Sequence, residues 1–286
     1  MEDSLTNIKF DFLQAQEIIK KALKEDIGSG DITTDCLIDE DKTIGAYIKT
    51  KEDGMLAGLP IAKMVFSELD NRLKWSPNFE DGEQIYASDI LVRFSCSYKA
   101  ALSGERTALN FLQRMSGIAT QTSLFVNSVK SQKTKILDTR KTIPGLRLLD
   151  KYAVRKGGGT SHRIGLFDMV MIKDNHIVTA GSIQKSVKTI RSKTNSDVLI
   201  EVETTNLEEV REALASGADI IMLDNMDTRT IKNALEIINN KARTEASGNI
   251  SLDRVKEIAE CGVDYISIGS LTHSVKALDI SLYFDK

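Results

Sequence analysis

The sequence feature that most constrains the fold is a repeated alternation of short apolar runs and helical stretches after residue 130. Five apolar runs recur, namely KILDT, MVMIK, VLIEVE, IIMLD and YISIG. The stretches that separate the last four are IQKSVKTIRSK, LEEVREALASG, TIKNALEIINNK and LDRVKEIAECG. Strands and helices alternating at this spacing predict βαβ units and a parallel sheet. A closed or nearly closed β/α barrel and an open doubly wound sheet both satisfy the pattern.

Polar residues follow these apolar runs, and their distribution favours the barrel. The polar endings are Asp138 to Lys141, Lys173 to His176, Glu201 with Glu203, Asp224 with Asn225, and Gly269 with Ser270. In a β/α barrel the carboxyl ends of all strands converge on one mouth, where catalysis takes place. An open sheet would spread the same ends along an edge, with only the switch point useful. Polar endings on successive strands therefore indicate convergence.

The chain before residue 116 has a different, irregular pattern. An amphipathic helix ends at Gly28, and two strand-like runs flank the Asp53–Gly54 turn. The segment IAKMVFSELD is helical in pattern, and the long stretch ERTALNFLQRMSGIATQTSLFVNSVK predicts one or two buried helices. In the later part, Asn206 with Glu209 is placed for a capping box, and Gly217 and Gly262 stand at helix ends.

Composition excludes several classes of function. The net charge of −3 and pI of about 5.8 argue against a dedicated nucleic-acid or polybasic membrane surface. No apolar run approaches the ~20 residues of a membrane span. The three cysteines are far apart, so we expect neither a disulfide framework nor a zinc site. The polar N-terminus lacks the basic and apolar regions of a signal peptide, and we expect a cytoplasmic protein.

Basic residues are concentrated between residues 140 and 173, where Asp150 and Asp168 are the only acids. We interpret Arg147, Lys151, Arg155 and Lys156 as solvated surface. Arg140, Lys141 and Lys173 differ because they lie at or just after strand ends. Cations gathered at a barrel mouth need anions to neutralise them. In a net-negative protein, that anion is more readily a small polyanionic substrate than DNA.

The segment Gly157–Gly159 precedes His162 and Arg163. A glycine triplet alone is weak support for a ligand site and is also typical of a flexible loop. The guanidinium of Arg163 is suited to hold a carboxylate through two parallel hydrogen bonds. A lone His162 would more often be structural.

Acidic residues and small-residue turns complete the set of candidates. Glu201 and Glu203 lie two apart on a strand and face the same side. We interpret Glu201 as the structural partner of a strand-end lysine, and Glu203 with Asp224 as a pair for Mg²⁺ or sugar hydroxyls. The segments EASGNI and SIGS are interpreted as turns in the late part of the barrel, where backbone N–H groups commonly bind phosphate.

At this point the motifs resemble those of the quinolinate phosphoribosyltransferase family, and the resemblance covers almost the whole chain. The matching segments are LDTRKTIPGLRLLDKYAVRKGGG, HRIGL, IKDNHI, IEVE, ADIIMLDNM, ALKEDIGSGDITT, GERTALNFLQRMSGIAT, EASGNI and SIGSLTHS. One departure is Ser161, where the family usually has Asn before His-Arg.

The resemblance implies a two-domain architecture and an activity. An N-terminal α/β sandwich domain would span residues 1–116, with the C-terminal tail, about 275–286, packing on it. An incomplete β/α barrel would span residues 117–274. The implied reaction converts quinolinate and phosphoribosyl pyrophosphate into nicotinate mononucleotide, pyrophosphate and carbon dioxide with Mg²⁺, in de novo NAD biosynthesis. A homodimer or higher homo-oligomer is implied as well.

The resemblance also implies residue roles by motif match. Quinolinate would lie among Arg140, His162, Arg163 and Lys173, with Arg106 reaching in from the neighbouring subunit. Lys141 would serve phosphoribosyl pyrophosphate, and Glu203 and Asp224 would serve its ribose and the metal. Catalytic roles are implied for Lys141, Glu203 and Asp224. The implied substrate-binding set is Arg106, Thr139, Arg140, Lys141, His162, Arg163, Lys173, Glu203 and Asp224, and the phosphate-binding set is Ser247, Gly248, Asn249, Ile268, Gly269 and Ser270.

Two alternatives stay open on the sequence alone. One is an enzyme of the same fold that acts on another anionic acceptor, as the molybdenum-transport-associated relatives would. The other is a catalytically silent barrel that binds a phosphorylated metabolite as a sensor or scaffold. The full set of cations and acids at the strand ends argues against the silent barrel.

Overall fold

The structure is a computed structural model that describes residues 10–38, 42–129 and 133–285. The described residues form two compact units. One unit, the barrel unit, comprises residues 124–141 and 159–270. The other, the sandwich unit, comprises residues 10–123, 142–158 and 271–285. The domain division inferred from the resemblance stays a prediction.

The helices, in chain order, are α1 Phe12–Ile27, α2 Ile32–Leu37, α3 Leu59–Leu69, α4 Tyr98–Ser128, α5 Arg147–Lys156, α6 Asp174–Ala180, α7 Ile183–Arg191, α8 Leu207–Ala215, α9 Thr228–Ile238, α10 Leu252–Glu260 and α11 Ser270–His273. The strands are β1 Thr43–Thr50, β2 Gly54–Met55, β3 Lys74–Pro77, β4 Gln84–Ile85, β5 Ile90–Ser97, β6 Lys135–Leu137, β7 Val170–Ile172, β8 Ile200–Thr204, β9 Ile220–Asp224, β10 Arg243–Ser247, β11 Tyr265–Ser267 and β12 Ile280–Phe284. No helix in these residues has both the length and the apolar character needed to cross a membrane.

The sandwich unit contains a four-stranded antiparallel sheet in the order β12-β1-β5-β3 and a small β2-β4 pair. An aromatic cluster joins α3 to this sheet. The ring of Phe94 on β5 lies 4.7 Å from Phe66 on α3 and 5.3 Å from Trp75 on β3. The two strands predicted around Asp53–Gly54 exist as β1 and β2, but they do not form a hairpin, because each pairs with other strands.

Two helices of the sandwich unit pack closely and are joined by an ion pair whose carboxylate is buried. Arg114 on α4 donates two hydrogen bonds of 2.9 Å to the carboxylate of Asp150 on α5. Gly157 ends α5, and a Cβ there would overlap the Ala119 carbonyl and lie 2.7 Å from Cβ of Thr122, so only glycine fits. The interpretation of Lys151 as solvated surface is wrong, because this side chain is only 2% exposed.

The barrel unit is built on six parallel strands in the order β6-β11-β10-β9-β8-β7. The strands β6 and β7 are consecutive in the chain, yet they lie at the two edges of the sheet. The order is therefore that of a barrel opened between its first two strands. This arrangement, with a separate N-terminal α/β part, confirms the predicted incomplete β/α barrel and excludes the doubly wound alternative.

The glycine segment leads the chain to the open edge of β6. Gly158 takes a left-handed conformation with φ of 85°. Beyond it, Thr160 forms a parallel bridge with Leu137, donating its N–H to the Ile136 carbonyl at 2.8 Å. The residues that follow, including His162 and Arg163, therefore run beside β6, where a closed barrel would have its second strand.

The helix ends marked by Asn206, Gly217 and Gly262 were predicted correctly, but Glu209 does not complete a capping box, because its carboxylate accepts the N–H of Thr205. One strand was also missed. The Asn206 side chain accepts the Glu209 N–H at 2.9 Å at the start of α8, and Gly217 and Gly262 have left-handed φ angles after α8 and α10. The five apolar runs omit β10, which has the sequence RTEAS. Glu245 and Ala246 lie in this strand, so the EASGNI turn begins later than expected.

Candidate active site

The candidate site lies at the carboxyl ends of the six parallel strands of the barrel unit. The strand register aligns Ile172 with Val202 and Ser247 with Asp224. Residues at or just after these positions therefore lie side by side at one end of the sheet. Of the predicted site residues, all except Arg106 belong to this unit.

Lys173 and Glu203 form an ion pair at the ends of β7 and β8. The Lys173 side chain is 43% exposed and that of Glu203 is 16% exposed. The lysine backbone N–H donates at 3.0 Å to Nδ1 of His176, which thereby helps to cap α6. The strand-end lysine thus has a carboxylate partner, but the partner is Glu203 and not Glu201 as expected.

Asp224 lies against the turn that follows β10. The side-chain amide of Asn225 donates to the Asp224 carboxylate at 2.7 Å, and the Asn249 amide donates to Oδ1 of Asn225 at 3.2 Å. The Asn225 backbone N–H also bonds to the Ser247 carbonyl at 2.9 Å. Gly248 has a φ of 98°, and a Cβ there would overlap the Asn225 amide. Asn225 therefore joins the acid of one strand to the turn of the next.

Asn225 was noted only as a polar strand ending and was not proposed as a site residue. Its signal in the sequence is an Asn directly after a buried strand, since Asn tolerates the left-handed conformation, here with φ of 53°.

Arg163 is buried at the open edge of the barrel and is only 7% exposed. Its guanidinium donates to the Met169 carbonyl at 3.1 Å and lies 3.6 Å from the sulfur of Met171. Burial lowers the pKa of Arg163, and the charge of Arg140 lowers it further. The charges of Glu201 and Asp168 act in the opposite direction. The repulsion between the two arginines favours a bound anion near them.

His162 is packed among carboxylates. Its Nε2 lies 3.1 Å from Oε2 of Glu201 and 3.3 Å from Oε2 of Glu245, and the imidazole and both carboxylates are buried. Burial lowers the pKa of His162, but Glu245 and Glu201 raise it more, so the net shift is upward. Burial and the neighbouring Glu245 raise the pKa of Glu201 above its usual range.

Two buried acids of this cluster were not proposed from the sequence. Glu245 belongs to the strand that was missed, and Asp138 was noted only as a polar ending. The Asp138 carboxylate accepts the backbone N–H of His162 at 2.8 Å. The signal for both is a carboxylate within or directly after a buried strand, which requires a polar partner.

The remaining predicted residues occupy the same end of the barrel unit. Arg140 is half-buried, whereas Lys141 is exposed and donates its backbone N–H to Oγ1 of Thr139 at 3.0 Å. Ile268 is buried and donates its N–H to the Leu137 carbonyl at 2.9 Å, so this amide is engaged within the sheet. Gly269 and Ser270 follow it, half-buried, at the start of α11.

Arg106 lies on α4 in the sandwich unit and is exposed. The alternative considered for it was an ion pair with Glu105 or a core acid. Within residues 10–38, 42–129 and 133–285, Arg106 makes no ion pair. Its guanidinium is therefore accessible to another molecule.

Two groups of acids in this site have the donor atoms for a cation. Glu203 and Asp224 offer carboxylate oxygens at the ends of neighbouring strands, the hard donors that Mg²⁺ prefers when substrate phosphates supply the rest. His162, Glu201 and Glu245 offer one nitrogen and two oxygens that lie within 4.8 Å of one another. The first pair faces the mouth, and the second cluster is buried beneath it.

Comparison with known proteins agrees with this geometry. The family model for the C-terminal domain of quinolinate phosphoribosyl transferase matches residues 118–283, and the model for the N-terminal domain matches residues 31–116. The chloroplastic nicotinate-nucleotide pyrophosphorylase (carboxylating) of Arabidopsis thaliana is 47% identical over 287 residues, which cover 94% of this chain and 82% of that protein.

Two bacterial proteins are similar along nearly their whole length. The probable nicotinate-nucleotide pyrophosphorylase (carboxylating) of Bacillus subtilis is 44% identical and covers 94% of this chain and 93% of its own. The solved structure of the nicotinate-nucleotide pyrophosphorylase from Francisella tularensis superimposes with a TM-score of 0.93 at 41% identity and covers 100% of both chains.

Proposed function

The chain belongs to the quinolinate phosphoribosyltransferase family, and we propose that it catalyses the reaction for which the family is named. It transfers the phosphoribosyl group of phosphoribosyl pyrophosphate to the ring nitrogen of quinolinate. The products are nicotinate mononucleotide, pyrophosphate and carbon dioxide, in de novo NAD biosynthesis. The observation that carries the proposal is the Lys173–Glu203 ion pair, because it joins a cation suited to quinolinate to an acid suited to the ribose.

On the quinolinate side, the cations match a dianion. Arg140 and Arg163 repel each other when no anion lies between them, and the two carboxylates of quinolinate would neutralise that repulsion. Lys173 contributes a further positive charge from the end of β7. Quinolinate would therefore be held in one orientation, with its ring nitrogen directed towards the ribose.

On the other side, acids and a turn match a phosphorylated sugar. Asp224 and Glu203 can accept hydrogen bonds from the ribose hydroxyls. The turn at Ser247, Gly248 and Asn249, together with Gly269 and Ser270, would hold the 5′-phosphate through N–H groups. Lys141 is exposed beside this region and would neutralise the pyrophosphate.

Glu203 and Asp224 would also hold Mg²⁺, directly or through water. When bound, Mg²⁺ supplies positive charge that stabilises the departing pyrophosphate. The residues of the chain position the two substrates, and the developing charges meet fixed charges of opposite sign. The ring nitrogen then forms a bond to the ribose carbon as the bond from that carbon to pyrophosphate breaks. The positive ring nitrogen stabilises the electron pair left on the adjacent ring carbon when its carboxylate departs as carbon dioxide, and that carbon takes up a proton from water to give nicotinate mononucleotide.

Arg106 would complete the positive pocket of a second subunit in a homodimer or larger homo-oligomer. Its exposure on α4 and its lack of an ion pair among the described residues support this role. A cytoplasmic location is likewise a proposal, and some relatives from plants are named as chloroplastic or mitochondrial.

The test is the release of labelled carbon dioxide from carboxyl-labelled quinolinate, with and without phosphoribosyl pyrophosphate. Release that requires both substrates supports the proposal. Release of pyrophosphate with a different aromatic acid but not with quinolinate would instead indicate an enzyme for another acceptor. Binding of the phosphorylated sugar without turnover of any acid would indicate a silent barrel.

A further inference from the structure

Both ring nitrogens of His162 have polar neighbours. Its Nε2 faces Glu201 at 3.1 Å and Glu245 at 3.3 Å. Its Nδ1 accepts the backbone N–H of Arg163 at 2.7 Å. The backbone N–H of His162 itself donates to Asp138 at 2.8 Å. The ring of His162 therefore links β8 and β10 to the backbone of Arg163, and the backbone of His162 is bound to Asp138, directly after β6.

The carboxylates of Glu201 and Glu245 are buried, and no stabilising role in the fold explains them. Glu201 and Glu245 are each 0% exposed, and burying a carboxylate is costly unless it is paired. Among the described residues, no oxygen of either carboxylate has a hydrogen-bond partner, and each carboxylate lies at ion-pair distance from Nε2 of His162. Replacement by apolar residues would remove that cost, so the acids are expected to contribute something other than stability.

We infer that Glu201 and Glu245 are positioning residues, which hold His162 as the Nε2–H tautomer so that its Nδ1 fixes the backbone of Arg163. This inference rests on the proposed function, in which Arg163 binds quinolinate. The acids lie on β8 and β10 and do not reach the substrate themselves. Their effect on the reaction passes through the ring to the arginine.

The Arg163 amide determines the tautomer. A proton on Nδ1 would point at the Arg163 N–H, and two donors cannot share a separation of 2.7 Å. The nearby carboxylates favour a proton on Nε2, which faces them both. The 2.7 Å contact therefore assigns the single ring proton to Nε2, and this geometry takes precedence over the upward shift that the two carboxylates impose on the pKa of His162.

The first test compares alanine and glutamine at both acids. Glu201→Ala and Glu245→Ala each remove a carboxylate that faces Nε2, and we expect the KM for quinolinate to rise about tenfold or more, with a smaller change in kcat. Glu201→Gln and Glu245→Gln retain a carbonyl oxygen in the same place, and we expect KM values within about threefold of the unmodified protein. KM is measured at saturating phosphoribosyl pyrophosphate.

Val202→Ala is the matched control. Val202 is 0% exposed and lies on β8 between Glu201 and Glu203, with its side chain on the opposite face of the strand. The control loses buried volume from the same strand but keeps the ring contacts. Its thermal unfolding midpoint should fall while the KM for quinolinate stays unchanged. A comparable rise in KM for Val202→Ala would overturn the inference, because general loosening of the strand would then explain the effect.

The second test does not require activity. The chain has three histidines, so His176→Gln and His273→Gln leave His162 as the only source of imidazole ¹⁵N signals. We expect one protonated and one unprotonated ring nitrogen at neutral pH. Two protonated nitrogens would overturn the inference, as would stoichiometric bound metal in the purified protein. If the unmodified protein does not use quinolinate, the proposed function fails, and the ¹⁵N result still decides the tautomer.

Discussion

Lys173 and Glu203 face each other from neighbouring parallel strands and form an ion pair. The pairing follows from the register, because Ile172 lies opposite Val202 and the next residue of each strand is the charged one. In the proposed function, the lysine binds quinolinate and the glutamate binds the ribose of phosphoribosyl pyrophosphate. The ion pair therefore places the two proposed substrate sites side by side. Binding of either substrate would change the surroundings of both charges.

The first prediction separates the roles of the acids from those of the cations. Glu203→Ala and Asp224→Ala should impair the use of phosphoribosyl pyrophosphate while quinolinate binding stays largely intact. Removing Glu203 also frees Lys173 from its partner, so the affinity for quinolinate should be equal or higher in that variant. Calorimetric titration with quinolinate and the KM for phosphoribosyl pyrophosphate measure the two effects.

Asp224→Ala is the matched comparison, since Asp224 has no lysine partner among the described residues and should not strengthen quinolinate binding. A folded Glu203→Ala protein that no longer binds quinolinate would show that the acid belongs to the other half of the site.

Much of the fold was predictable because apolar runs and helix caps are local signals. The helices α7 to α10 begin or end near the predicted residues, and five of the barrel strands coincide with apolar runs. The sixth, β10, carries Arg243, Thr244 and Glu245 in a five-residue strand and resembles a loop in composition. Its place in the sheet is decided by neighbours on both sides, which no local pattern contains.

The sequence predicted those site residues that lie at or directly after strand ends. It did not predict contacts between residues on strands that are not neighbours in the sheet. Glu201 and Glu245 lie on β8 and β10, with β9 between them in the sheet. His162 reaches them from the segment that runs beside β6, where a closed barrel would have its second strand. Glu201 was therefore given the wrong partner, because its contact with His162 is a property of the assembled sheet. The pairing of Glu203 with Asp224 stays a prediction.

The second prediction concerns the choice of acceptor. Quinolinate should be used and nicotinate should not, because a monoacid leaves part of the charge of Arg140, Arg163 and Lys173 unpaired. Losing one charged contact of this kind costs ~2–5 kcal/mol, which is about 30-fold or more in kcat/KM. The measurement is turnover of each acid at the same concentration of phosphoribosyl pyrophosphate. Comparable turnover of nicotinate would contradict the assignment of these cations.

The third prediction tests the turn beside Asp224. Gly248→Ala places a Cβ onto the Asn225 amide at a positive φ, so the turn must move or the protein must bear the strain. We expect a loss of ~1–3 kcal/mol in the free energy of unfolding together with a higher KM for phosphoribosyl pyrophosphate. Chemical denaturation and steady-state kinetics measure the two quantities.

Gly217→Ala provides the control for Gly248→Ala. Gly217 also has a positive φ, of 77°, but a Cβ there would meet no atom within 4 Å. This variant should lose stability through backbone strain alone and keep its kinetic constants. An unchanged KM for phosphoribosyl pyrophosphate in Gly248→Ala would mean that the turn does not hold the phosphate.

The last prediction concerns Arg106, which is exposed on α4 and makes no ion pair with any residue in the described ranges. If it completes the pocket of a neighbouring subunit, Arg106→Ala and Lys141→Ala should each be inactive alone but regain activity when mixed. In a mixed dimer, one site inherits both lesions and the other inherits neither. Random pairing of two-fold partners then gives up to about a quarter of the activity of the unmodified protein.

The mixing experiment needs proof that subunits exchange, for which differently tagged copies are purified in sequence after mixing. Each variant carried alone through the same unfolding or dilution step is the control. If exchange is proven and activity does not return, Arg106 acts within its own chain, because both sites of every mixed dimer would then contain one lesion. Recovery near a quarter would instead place the arginine of one subunit beside the lysine of the other.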